Sequence, residues 1–338
     1  MSSEKWGRAL GALGRVGSGN GRAPPTLGTM SPALLVPPPL GPGARVALVA
    51  PAGPLSAADL AQAEANARGF GWEPAVGALA LGRAVYFAGA DAERLADLNA
   101  ALADDGVDGV WCLRGGYGAM RILDGVDFAA LARRPRALIG FSDVTALHLG
   151  CAARVPGLVT FHGPTARGAL TEFSRRSFAR AVGADRADPC GPAPAARALR
   201  PGRAAGRLAG GNLALLAALA GTPYGPRFDG AVVVLEDVNE PVYRVDRMLR
   251  QLLMAGALAG CRALVFGHCT RCPEPCDDDG RRTLDAVVAE AAAAVGVPAA
   301  AGVPVGHVDE QWTLPLGAAA EVAVGEGACA LHVDWPPG

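Results

Sequence analysis

Ser142 lies in Leu138-Ile-Gly-Phe-Ser-Asp-Val-Thr-Ala-Leu147, where an apolar strand pattern runs straight into an apolar helix. A hydroxyl on such a turn is exposed and faces the amides that open the helix, the setting of a nucleophile elbow. Val144 occupies the last glycine of G-x-S-x-G, and a Ser-Asp pair after a strand also serves as an ordinary helix cap. A serine nucleophile needs a base. Of the five histidines, His148 sits six residues along the same helix and faces away, and His332 falls in a terminal alternating segment. His162, His268 and His307 each close an apolar run, and the local pattern leaves all three open. Glu236, closing Val232-Val-Val-Leu-Glu, could orient an imidazole; Asp237 is its neighbouring competitor.

Two further motifs could do chemistry. Arg114-Gly-Gly-Tyr-Gly118 offers backbone amides on a strand-end loop. With no G-x-x-x-x-G-K-[ST] in the chain, an oxyanion or carboxylate suits it better than a nucleotide phosphate, and a plain turn accounts for it as well. Cys269-Thr-Arg-Cys272-Pro-Glu-Pro-Cys276 stands beside His268. Zinc sites usually present two separated pairs, and the other cysteines here are unpaired, so no metal is expected.

These groups need a scaffold that brings strand ends together. Strand patterns at residues 45–50, 109–113, 137–141 and 158–161 alternate with helical ones at 56–69 and 91–104, which predicts βαβ units on a parallel sheet. The stretch 188–206 is rich in Pro, Ala and Arg without periodicity and reads as a linker. Beyond it the alternation resumes: helix 211–220, strand 231–235, helix 242–257, strand 262–266, helix 284–295, and strands near Val303 and Glu321. The expected organisation is an extension over residues 1–42, disordered and dispensable, an N-terminal α/β domain over 43–187 with the serine, and a C-terminal α/β domain over 207–338 with the acid and base. Ligand sites of open parallel sheets collect at the carboxyl ends of strands.

Composition narrows the function. The chain has 338 residues, 51% of them hydrophobic, enough for two domains with buried cores. Its formal net charge is −1 and its charged fraction 19%, so nothing predicts a basic nucleic-acid face. The only lysine is Lys5, which removes Schiff-base lysines, Ser–Lys dyads and P-loop lysines from the folded part. Residues 213–220 are the most apolar stretch and too short to span a bilayer. Eight cysteines in so large a chain read as thiols of a reducing compartment, and no signal peptide is evident, so a cytoplasmic location is expected.

The motifs taken together resemble the LD-carboxypeptidase family, the muramoyltetrapeptide carboxypeptidases, with the related microcin-immunity peptidases. The resemblance runs from Arg45 to about Val324. It rests on Arg45-Val-Ala-Leu-Val-Ala-Pro-Ala-Gly-Pro54, Arg114-Gly-Gly-Tyr-Gly118, Gly140-Phe-Ser-Asp-Val-Thr145, His162-Gly-Pro164, Gly210-Gly-Asn-Leu213, Leu235-Glu-Asp237, Tyr243-Arg-Val-Asp-Arg247, and Gly306-His307 with Trp312-Thr-Leu-Pro-Leu-Gly317. It implies a flavodoxin-like N-terminal sheet, a smaller C-terminal α/β domain and an active site between them. It implies Ser142 as nucleophile, His307 as base and Glu236 as orienting acid, with an oxyanion hole from the amides of Asp143 and Gly116. No metal or organic cofactor is implied. A murein tetrapeptide or related peptide would be the substrate, and a homodimer is common among relatives. Arg244 and Trp312 are candidate substrate contacts, because a carboxypeptidase without a folded-part lysine must hold a terminal carboxylate by arginine or amides; Arg244 could instead pair with a nearby acid. Two departures are an atypical N-terminal extension and Cys269 where a bulky apolar residue is more usual. An α/β-hydrolase esterase shares the order Ser, acid, His but needs G-x-S-x-G and one continuous domain. A non-catalytic sugar- or nucleotide-binding module would explain only the glycine loops.

Overall fold

The computed structural model describes residues 33–272, 282–325 and 328–335. The strands in chain order are β1 (Arg45–Val49), β2 (Glu73–Val76), β3 (Gly109–Cys112), β4 (Ala137–Gly140), β5 (Thr160–His162), β6 (Gly191–Ala193), β7 (Arg197–Arg200), β8 (Gly202–Asn212), β9 (Ala231–Val238), β10 (Ala263–Thr270), β11 (Ala299–Ala301), β12 (Leu314–Leu316), β13 (Ala319–Gly325) and β14 (Ala328–Asp334). They form two sheets. The first has the order β12-β5-β4-β3-β1-β2 and the second β6-β14-β13-β8-β9-β10-β11-β7.

Within the first sheet β1 to β5 run parallel in the flavodoxin-like order 2-1-3-4-5. The central strands β3, Gly-Val-Trp-Cys, and β4, Ala-Leu-Ile-Gly, are buried along their whole length, as unbroken apolar runs of a parallel sheet covered on both faces are. The order reverses between β1 and β3, so the loops after those strands diverge and leave a crevice. The helix Ala57–Gly69 starts at Ser56, whose hydroxyl caps Asp59 N while Asp59 answers to Ser56 N.

The second sheet is mixed. Strands β8 to β11 are parallel, whereas β13, β14, β6 and β7 pair antiparallel. β12 belongs by sequence to the second half but pairs with β5 of the first sheet, Leu314 opposite His162. The halves therefore share a sheet edge.

Two expectations are corrected. The stretch 188–206 is not a free linker: it holds β6, β7 and the start of β8. Along β8 the residues from Gly202 to Arg207 alternate between half-buried and exposed, a strand period carried by Gly and Ala against Arg and Ala. Hydrophobicity contrast is too weak there to reveal it. The extension does not run to residue 42 either. Leu40 is 2% exposed in the core of the first sheet, its amide bonds Val182 O, and Trp72 Nε1 donates to its carbonyl. Residues 1–32, on which the rest of that expectation falls, lie outside the described residues. Smaller shifts have local causes: the strand expected near Val303 ends at Ala301 because Gly302 turns the chain with φ +87°. Among the described residues no helix is long and apolar enough to cross a membrane.

Candidate active site

β4 ends at Gly140, and Ser142 follows at φ +63°, in the left-handed region. A non-glycine residue is strained there and persists only where its surroundings hold it. The turn is a strand-to-helix elbow: a short 3-10 segment, Ser142–Val144, leads into the helix Thr145–Arg154. Val144 does not spoil it, because its methyl groups fill the space beside Gly140, where an added Cβ would lie 3.0 Å away.

The glycine loop after β3 packs against this elbow. A Cβ at Gly115 would stand 3.0 Å from Ser142 Cβ and 3.4 Å from Asp143 N, so only glycine lets the loop pass so close. The Asp143 carboxylate accepts from Ala119 N at 2.7 Å, which ties the elbow to the end of the loop. Its burial pushes its pKa upward. Gly53 N donates to Gly115 O at 3.0 Å, joining the loops after β1 and β3 at the switch point. Arg94, fully buried, binds the carbonyls of Pro51 and Gly118 and pairs with Asp91.

The second half brings up the acid and the imidazole. Glu236 is 1% exposed near the carboxyl end of β9. His307 lies in the loop beyond β11, after Gly306 at φ +113°, where a Cβ would meet Glu236 and the His268 carbonyl at 3.0 Å. His307 Nδ1 is 2.9 Å from Glu236 Oε2, and His307 Nε2 is 3.1 Å from Ser142 Oγ. An ionised carboxylate can only accept, so Nδ1 carries the proton and Nε2 is left as the acceptor for the serine hydroxyl. The Phe141 ring stands 4.8 Å from the imidazole, centroid to centroid, on one flank.

The other candidates are placed elsewhere. His162 is buried and, among the described residues, neither ring nitrogen has a hydrogen-bond partner; burial pushes its pKa down to about 3. His148 donates from Nε2 to Gly140 O at 2.8 Å and is held down to about 4 by burial. His268 is exposed on β10, and His332 pairs with Asp188. Asp237 faces the helix Leu213–Leu219, accepting from Ala214 N and Asn212 Nδ2, and burial raises its pKa to about 6. Arg244 is half exposed and pairs with Glu240 at 3.4 Å; Asp246 is engaged by Arg282. Trp312 is 2% exposed in the core under the second sheet, with its amide on Pro304 O. That backbone bond ties the two ends of the loop that carries His307. Among the described residues no group of three His, Cys, Asp or Glu could hold a metal; Cys276 lies outside them.

Family comparison agrees with this two-part construction. The LD-carboxypeptidase N-terminal domain matches residues 46–163 and the LD-carboxypeptidase C-terminal domain residues 205–322. The chain belongs to the LD-carboxypeptidase family. It is a peptidase of the muramoyltetrapeptide-carboxypeptidase kind. The murein tetrapeptide carboxypeptidase of Pseudomonas aeruginosa is 36% identical over 302 residues, covering 84% of this chain and 93% of the relative. The crystal structure of muramoyltetrapeptide carboxypeptidase from Oxalobacter formigenes superposes with a TM-score of 0.75 at 32% identity, over 86% of this chain and all (100%) of that one. An MccF-like protein from Bacillus anthracis shares the fold, with TM-score 0.78 at 20% identity over 88% of this chain and 99% of that one.

Several residues that position this LD-carboxypeptidase site gave no sequence signal. Arg94 sits on an amphipathic helix, where an arginine reads as surface. Ser174 and Ser177, on the helix Glu172–Val182, receive Gln311 N and Thr313 N at 2.9 Å each and so hold the loop that follows His307. Thr145 Oγ1 accepts from Asn212 N at 3.0 Å, linking the nucleophile helix to β8. Only contacts between distant segments reveal these roles.

Proposed function

We propose that the chain is a cytoplasmic serine carboxypeptidase that releases the terminal D-alanine from murein tetrapeptides during cell-wall recycling. The observation that carries this reading is the unbroken relay from Ser142 Oγ through His307 to buried Glu236, with the serine at a strained elbow. His307 takes the Ser142 proton as the hydroxyl attacks the scissile carbonyl, and Glu236 holds the imidazole tautomer and stabilises the imidazolium. The amides of Asp143 and Gly116 receive the developing oxyanion, each donor contributing roughly 3–4 kcal/mol. The imidazolium then protonates the leaving amine, and water, activated by the same His307, frees the enzyme.

Arg244, in the first turn of the helix that follows the strand of Glu236, supplies a cation, and its half-exposed pairing with Glu240 is weak enough to yield to a terminal carboxylate. Trp312, buried, helps to hold the loop that carries His307 through its amide on Pro304 O. The active form in this reading is a homodimer. The test offers the purified protein L-centred tetrapeptides ending in free D-Ala, amidated D-Ala or L-Ala, with products read by mass. Release from the free D-Ala terminus alone is expected. Equal rates on the three peptides would remove the assignment, and turnover confined to a peptide antibiotic would replace the murein substrate with that class. A fluorophosphonate should label Ser142 and no other residue.

A further inference from the structure

Cys269 and Cys272 stand beside the candidate site with no part in the chemistry derived above. Cys269 is in register with Asp237 on the strand that carries Glu236, just past an irregularity in the β9–β10 pairing. Arg271, between the two cysteines, turns the chain with φ +53°. That turn folds the C-x-x-C segment on itself: Cys272 Sγ lies 3.7 Å from the carbonyl of Thr270, the residue next to Cys269. Both are half-buried, whereas Cys112, Cys151, Cys261 and Cys329 are buried. Interaction with the Cys269 thiol, helped by the Glu240 amide, holds the Cys272 thiol below its ordinary pKa. Cys272 is thus the nucleophilic member and Cys269 the resolving one.

The residue between them touches the site. Thr270 Oγ1 donates to the His307 carbonyl at 3.1 Å, and Thr270 O accepts from Asn239 N at 2.9 Å. Thr270 therefore couples the dithiol segment to the loop that presents the imidazole.

We propose that Cys269 and Cys272 form a disulfide with a low-molecular-weight disulfide as oxidant, and that closure disturbs the Thr270–His307 contact and lowers activity. The first half stands on the cysteine geometry; the second rests on the reading of His307 as base. The Cys272 thiolate attacks the small disulfide, expels one small thiolate and forms a mixed disulfide. Cys269, losing its proton to solvent, attacks the Cys272 sulfur and expels the second. Two protein thiols become one disulfide, and one small disulfide becomes two small thiols, so two electrons and two protons pass to the oxidant.

The experiment equilibrates the full chain with glutathione and glutathione disulfide at graded ratios, and then reads three things. Peptide mass mapping reads closure, D-alanine release reads activity, and fluorophosphonate labelling reads Ser142. A closed Cys269–Cys272 peptide is expected, with activity falling on the order of 10- to 100-fold, the effect of an ångström-scale misplacement, and returning with dithiothreitol. C272S and C269S should keep the activity of the reduced wild type and ignore the oxidant. No Cys269–Cys272 peptide, or pairing of either residue with Cys276 instead, would overturn the site. Full activity in quantitatively closed protein would overturn the coupling. A reduced protein that neither releases D-alanine nor takes the label defeats the proposed function and the coupling with it, while the mapping still decides the dithiol.

Discussion

The two sides of the candidate site are built differently. The serine side is local: β4, the strained Ser142 and the helix Thr145–Arg154 are one continuous segment, and the glycine loop that leans on it follows the neighbouring strand. The histidine side is assembled from afar. Between β11 and β12 the chain has no regular structure, and His307 is held by Glu236, 71 residues away, by Thr270 and, through the loop beyond it, by Ser174 and Ser177. A short strand-turn-helix places a side chain through backbone geometry alone. A loop places one only through the sum of its long-range contacts, so its precision is easier to lose.

That contrast can be tested in steps of falling size. Ser142→Ala and His307→Ala should each cost on the order of 10⁶ in kcat, as triad members that act as a unit do. His268→Ala should leave turnover near wild type; the reverse pattern for the two histidines would break the comparison. Glu236→Gln keeps the shape but favours the wrong tautomer, and should cost on the order of 10⁴ in kcat with the melting temperature little changed.

Gly306→Ala should sharpen the contrast, since its Cβ would press on Glu236 and the His268 carbonyl at a positive φ. A loss of about 10²-fold in kcat is expected while the fold survives. Unchanged kinetics would mean that the loop is not precise. On the serine side, Leu40→Ala removes a buried side chain far from the chemistry. It should cost about 2–4 kcal/mol of stability without altering kcat, measured by urea unfolding alongside kinetics. Removal of residues 1–42 should be destabilising for the same reason.

Acid sensitivity should also belong to the serine side. His148 and His162 are held at about 4 and about 3, below their ordinary 6.5. The unfolded chain therefore takes up two protons that the folded one refuses, and stability, fully present above pH 6.5, falls as the pH drops below it. Asp237, raised to about 6 from 3.8, works in the opposite sense: its contribution is complete below 3.8 and is lost as pH rises through 6. Between pH 6 and 5 these three groups together give a slope of about one proton, which Asp143, also pushed up by burial, reduces. His162→Phe should flatten the fall of the urea midpoint over that range, and an unaltered slope would show that His162 does not contribute.

The sequence by itself determined the local half of this protein. Apolar strand patterns, the Ser142 elbow, the glycine loop and Glu236 at a strand end were legible because each is written in consecutive residues with a definite period or turn chemistry. Choosing His307 over His162 and His268 was beyond local pattern, since all three close apolar runs; the family resemblance named it, and the tertiary structure alone shows where each one lies. Only the tertiary structure placed Leu40 in the core, made strands of 191–212, put β12 on the first sheet and buried Arg94 under the glycine loop. In each case the deciding interaction joins segments tens of residues apart, and side-chain periodicity carries no record of a partner that distant.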